Sequence, residues 1–332
     1  MKGKEEKMRL GKKMGIGAFV FLGLMGLIVF NSAGAGEYPT KPVKIIVPWA
    51  VGGGTDTSTR ALVSVMGKYF PQPLIVVNRP GGAGTVGMTE ICKAKPNGYT
   101  IGSNAWGPMI TQPSLKKLQY TEKDYIPIMQ TYSAPRILCA HPSRPYKTMK
   151  EFMDYAKKHP GEVKVGVAGV GTTGHLAMLQ IESEYGVKFT NVPMVGGGPQ
   201  KVAVLGGHVD VAPVITGEGG PLVEAGKLVA LGIFDDKRFP LFTNIPTLAE
   251  QGYPVESGVA NYILVPAGTP DNIVKYIHDS FKKGLEDPVY QKLIRRLKFN
   301  VAYLSPEESR AKLEKFRKLY AKLVAEMGLE KK

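Results

Sequence analysis

The sequence predicts an α/β protein built from mostly parallel sheets flanked by helices. Three observations predict it. Apolar strand-like runs alternate with amphipathic helix patterns almost throughout. The 40 glycines and 25 prolines form no low-complexity tract and fall between those runs as turns. A strand, a glycine turn and a helix occur twice in the same arrangement, as "IIVPWAVGGGTDTSTRALVSVM" and "VKVGVAGVGTTGHLAMLQIE". With 332 residues, 43% of them hydrophobic, the chain can form one large or two medium domains.

The first 36 residues are expected to be a signal peptide rather than part of the fold. Lys2, Lys4, Lys7, Arg9, Lys12 and Lys13 make a basic front, and an apolar run follows from Ile16 to Phe30. Ala33 and Ala35, or Gly34 and Gly36, then fit the small-residue pattern of a cleavage site. The apolar run is shorter than the roughly 20 residues of a spanning helix. An uncleaved anchor is the alternative. Without the leader the chain keeps 37 basic and 26 acidic residues, so the formal +15 falls to +11. Much of that excess lies in C-terminal segments such as "KLEKFRKLYAKL", where solvated helix faces explain it and no nucleic-acid partner is implied. The surplus can still steer anionic ligands.

The elements follow in order. A strand at Val43–Trp49 leads into a helix at about 56–69; "PLIVVN" is the next strand, then a helix at about 85–94 and the strand "YTIGSN". "RILCAH", a helix at Lys150–Lys158, "VKVGVAG" and a helix from His175 come next, and "FTNVPMV", "VDVAPV" and "LVALGIF" follow. Thr148 with Glu151 spells a capping box, stopped by Pro160 and Gly161. Thr269 and Pro270 open another helix, with Ile273, Ile277 and Phe281 on one stripe. Ser305, Pro306 and Glu308 open the last, which buries Leu313, Phe316, Tyr320 and Leu323. Cys92 falls in a helix and Cys139 in a strand; export permits a disulfide, but their positions do not pair them, and two buried free thiols are expected.

Gly169, Gly171 and Gly174 spell the spacing of a dinucleotide turn, as do Gly82, Gly84 and Gly87. That reading also needs an acid at the end of the next strand, and neither motif has one. No P-loop is present. What remains is general: a glycine-lined helix N-terminus offers unpaired N–H groups and the positive dipole end to an anion, a carboxylate as well as a phosphate. Two such turns, Gly52–Asp56 and Gly169–His175, would face one cleft. No nucleophile elbow and no H-E-x-x-H occur, and the five histidines show no ligand spacing, so no enzyme, metal or cofactor is expected. For His175 a packed or capping role is the plainer reading, and for Asp56 a dipole-complementing one.

"EYPTKPVKIIVPWAVGGGTDTSTRAL" resembles the mature start of the tripartite tricarboxylate transporter substrate-binding proteins, the TctC or Bug family. The resemblance continues in order through "VVNRPGGAGTVG", "KPNGYTIG", "GVAGVGTTGHLA", "LGGHVDV", "IPTLAEQGYP" and "VPAGTP". It implies a two-lobed periplasmic-binding-protein-like fold of type II, with residues 37–136 and 261–332 as one lobe and 137–260 as the other. It implies a small carboxylate as ligand, held largely by backbone groups, and delivery to membrane permease subunits; a sensing role beside a signalling protein is the alternative. Carried onto this chain, the ligand set is Trp49, Ala50, Gly52, Gly53, Thr55, Asp56, Asn104, Gly171, Thr172, Thr173, His175, Met194 and Gly196.

The chain departs from the family at several positions. Met194 and Val195 replace a frequent Tyr-Lys, Val259–Tyr262 replaces a frequent Ser-Trp pair, and Trp106 is bulky. "VITGEGGPLVEAG" is unusually rich in glycine and brings Glu218 near the cleft. These changes imply a ligand with a less polar body, aromatic or aliphatic.

Overall fold

The computed structural model describes residues 38–329, so the signal-peptide expectation lies outside the described residues. Val43–Val47 (β1), Leu74–Asn78 (β2) and Thr100–Ala105 (β3) are parallel neighbours in the order β2-β1-β3. Lys164–Val167 (β5), Thr190–Pro193 (β6) and Val211–Ile215 (β7) repeat that arrangement, with β5 between β6 and β7. Two longer strands join the sets. Tyr125–Ala140 (β4) and Gly258–Pro266 (β9) run side by side and antiparallel, giving the order β2-β1-β3-β9-β4-β7-β5-β6. Val229–Ile233 (β8) and Asn300–Leu304 (β10) pair with β4 as well. The expected α/β architecture is present, and the antiparallel pairings of β4 and β9 are added to it. All these strands belong to one unit that begins at Lys41.

β4 changes partners along its length. As far as Pro135 it pairs with β9, and from Arg136 onward with β7. Each stretch has its own core. Ile46, Met88, Tyr262, Leu264 and Leu313 lie in one cluster, and Leu138, Phe152, Val165, Phe189 and Leu231 in another. A third cluster, around Ile137, Val204, Val214 and Ile245, covers the opposite face of β4 and β7.

The helices follow from local chemistry. Gly54–Met66 (α1) buries Thr59, Leu62, Val65 and Met66. Thr85–Cys92 (α2) starts after the second glycine motif, where a Cβ on Gly87 would stand 2.8 Å from Cα of Pro48 and from the Arg79 carbonyl. That glycine permits close packing. Two short helices, Gly107–Ile110 (α3) and Gln112–Leu115 (α4), follow β3. Met149–Lys158 (α5) carries the Thr148–Glu151 capping box. Thr173–Tyr185 (α6), Gly197–Leu205 (α7) and Thr216–Glu224 (α8) follow β5, β6 and β7. Asp271–Glu286 (α9) has Pro270 at its N-cap position with no side-chain cap, and the Thr269 hydroxyl donates to the Pro266 carbonyl at 2.8 Å. Pro288–Arg296 (α10) and Pro306–Glu326 (α11) complete the order, and α11 starts on the Ser305–Glu308 capping box. Cys92 and Cys139 are free thiols, each pushed up to about 12 by burial.

Candidate functional site

The loop after β1 is held by its own acid. Asp56 accepts from the Gly52 amide at 2.9 Å, from Asn78 Nδ2 at 3.0 Å and from Arg60 Nε at 2.8 Å. Asn78 Nδ2 also donates to the Trp49 carbonyl, and Trp49 Nε1 donates to Asn104 Oδ1 at 3.3 Å. Asp56 and Asn104 therefore hold the loop in shape, and neither lines the cavity beside it.

The loop before α6 is self-bonded in the same way. Thr172 Oγ1 accepts from the His175 amide as N-cap, and its hydroxyl donates to the Gly169 carbonyl at 2.9 Å. His175 Nδ1 accepts from the Gly171 amide at 3.0 Å, which puts the ring proton on Nε2. Burial holds this imidazole below its ordinary value. The unfolded chain then binds the proton more readily, so His175 costs stability as the pH falls below about 6.5. The urea midpoint of His175→Asn is expected to fall less than that of the native chain between about pH 7 and about pH 5. Equal losses in both would mean that the ring is not held neutral.

Between these loops lies a cavity of about 50 Å³. Trp49, Gly53, Gly54 and Thr55 line one side, and Thr172 and Thr173 another. Gly197 and Gln200 of α7, Ala105, Gly107, Ala168, Ile215 and Val259 complete the wall with two charged side chains, Arg136 and Glu218. Arg136 is 5% exposed; its Nη1 donates to the Pro213 carbonyl at 3.0 Å and its Nη2 to Thr173 Oγ1 at 3.2 Å. Its Nε has no partner. Desolvation holds the guanidinium below its usual range, opposed by the nearby Glu218 charge. A Cβ on Gly174 would stand 3.1 Å from Nε, so the cation lies against the first turn of α6. There the helix dipole opposes it, and the first amides of α6 have no preceding turn to accept their bonds. A buried cation beside free amide donors is an arrangement an anion would complete.

Glu218 is 7% exposed and stands in the first turn of α8. Its Oε1 accepts from the Gly54 amide at the start of α1, while Oε2 has no partner. Burial raises its pKa; the Gly54 bond, Lys201 and Arg136 oppose the rise. Among the described residues, no group of three or more His, Cys, Asp or Glu is placed to hold a metal ion.

Of the sequence-predicted site residues, Trp49, Gly53, Thr55, Thr172 and Thr173 meet at this cavity. Gly171, His175 and Met194 line a separate groove with Gln112, Leu115 and Lys116. Gly52 is tied to Asp56, and Gly196 caps α7 against the Ala50 amide, 3.2 Å from where its Cβ would be. At Gly171 (φ +70) a Cβ would strike Leu115 and come within 2.7 Å of Gln112 Nε2. Trp106 does not wall the cavity, since it is buried against Phe316 and donates to the Tyr262 hydroxyl at 3.4 Å. Arg136, Gln200 and Ile215 were missed. Nothing local marks them; they reach the site through pairings with β7 and α7.

A family model described as the tripartite tricarboxylate transporter family receptor matches residues 59–329. A relative from Cupriavidus necator, the UPF0065 protein in the gbd 5'region, is 32% identical over 83% of this chain and 84% of its own. The solved structure of the periplasmic binding protein BugD superposes with a TM-score of 0.85 at 31% identity, covering 89% of this chain and 100% of that one. MatC from Rhodopseudomonas palustris with bound malate gives 0.81 at 27% identity, covering 86% and 100%. The family is one of transporter solute-binding receptors, not of enzymes. Among the described residues, no helix is long and apolar enough to cross a membrane.

Proposed function

The chain belongs to the tripartite tricarboxylate transporter receptor family, and we propose that it captures a small carboxylate in the Arg136 cavity and delivers it to permease subunits. The observation that carries this reading is the buried Arg136 guanidinium, with Nε unpartnered, against the start of α6. A carboxylate there would pair with the cation and complete the amides of Thr173 and Gly174. The bound malate of MatC supports a carboxylate class of ligand. Ile215, Val259, Ala105 and Trp49 favour a ligand body of low polarity.

Residues 37–136 with 261–332 form one lobe in this reading, and 137–260 the other. The partner change of β4 at Arg136 supports a hinge there. A cavity of about 50 Å³ holds little more than a few waters, so loading requires the loops to part and closing follows binding. Export with cleavage near residue 36 would place the receptor in the periplasm, where it meets both solute and permease.

A panel of small mono- and dicarboxylates tested by thermal shift on the mature protein decides the first point. A ligand at a hundred times its Kd is expected to add about 2.7 kcal/mol, enough to raise Tm by several degrees. No shift with any carboxylate would reject the reading.

A further inference from the structure

Three helix N-termini converge on the carboxylate of Glu218. It lies in the first turn of α8 and accepts the Gly54 amide of α1. A Cβ on Gly197, the first residue of α7, would stand 2.6 Å from both of its oxygens. Such a convergence of positive dipole ends is an anion seat. The anion in it belongs to the protein. It is carried by "TGEGG", where Cβ atoms on Gly217 and Gly220 would strike Phe299 and Phe242, so the glycines let the start of α8 pack closely.

Two polar atoms remain unsatisfied on opposite charges of the same cavity, Nε of Arg136 and Oε2 of Glu218. They do not satisfy each other. A dicarboxylate could place one end on Arg136, but its other end would meet a buried carboxylate in a seat already filled, at the cost of like-charge repulsion. A group that donates a hydrogen bond would instead satisfy Oε2, and a cationic donor would do so most strongly.

We propose that Glu218 is a specificity-determining residue: a tethered carboxylate that fills the second anion seat, so that the cavity selects a monocarboxylate carrying a hydrogen-bond-donating group, foremost an ammonium, at its other end. The inference rests on the reading of the cavity as a carboxylate site and narrows its ligand class.

The test is calorimetric titration of the mature protein with matched probes of two lengths: succinate, β-alanine and propionate, then glutarate, γ-aminobutyrate and butyrate. In the native chain the amino acid of each set is expected to bind at least about tenfold more tightly than its dicarboxylate and its unsubstituted acid. Glu218→Gln keeps an acceptor for the Gly54 amide and removes the charge, and is expected to cut that preference for the amino acid at least about tenfold. Gly197→Ala, which displaces the carboxylate without deleting it, is expected to reduce the preference as well. Dicarboxylates preferred by the native chain, or a preference untouched in both variants, would overturn the inference and leave the carboxylate reading standing. No binding of any probe, together with no response to loss of Arg136, would overturn both.

Discussion

Replacing Arg136 by methionine is expected to abolish carboxylate binding and to lower stability by about 1–3 kcal/mol, a sizeable share of a typical domain's margin. The two losses have different origins. Binding fails because the buried cation on the first turn of α6 is gone, and a fall of at least about a hundredfold in affinity is expected. Stability falls because the Pro213 carbonyl and Thr173 Oγ1 lose the donors of Arg136, and because the buried Glu218 carboxyl, its pKa already raised by desolvation, is pushed further up without the opposing cation. A second substitution separates them. Glu218→Gln in the Arg136→Met background removes the buried titratable carboxyl and is expected to restore part of the stability at neutral pH, while binding stays lost. Urea unfolding and calorimetry on the two single variants and the double variant complete the cycle. If Arg136→Met bound carboxylates within about threefold of the native chain, the anion would have to sit elsewhere.

The contrast between Asp56 and Arg136 shows what a sequence can reveal. β1, α1 and α6 were legible because their signals are local: an apolar run, a glycine turn, then Thr172 in reach of the His175 amide. The capping boxes at Thr148 and Ser305 were legible for the same reason. β4 was seen only in its last part. Its earlier stretch carries Gln130, Thr131 and Ser133, which break an apolar pattern. Their partners are distant in the chain: Tyr262 donates to Gln130 Oε1 at 2.9 Å, and Thr131 donates to the Asn261 carbonyl. Arg136 reads in sequence as a basic residue opening an apolar strand. Its meaning comes from Thr173 and Pro213, brought to it by the sheet. Asp56 shows the converse: the resemblance puts it in the ligand set, and in the fold its oxygens accept from Gly52, Asn78 and Arg60. A glycine-rich motif marks where an anion can be held. Which anion depends on residues the motif does not contain.

Gly198→Leu is expected to leave the fold intact and weaken ligand binding at least about a hundredfold, with Gly198→Ala falling between, at about tenfold. Gly198 is the second residue of α7, and a Cβ there would stand 2.9 Å from the Val51 carbonyl and 3.4 Å from the Gly53 amide. Both neighbours are backbone, so no side-chain rotation can relieve the contact. The loop that opens α1 must instead move away from α7. Lys201 Nζ, 3.4 Å from the Gly52 carbonyl, lies on the same contact and would be drawn apart with it. Separation on that scale parts the Gly54 amide from Glu218 and widens the space between Thr55 and Thr173, which is the motion assigned above to loading. The variants thus bias the protein toward an open form and tax binding by the fraction left able to close. Small-angle scattering on the leucine variant is expected to show no ligand-induced compaction, whereas the native chain contracts. Native affinity in Gly198→Leu would mean that this contact is no part of closure. A graded loss from glycine to alanine to leucine follows only if the approach of α7 to the loop of α1 is what completes the site.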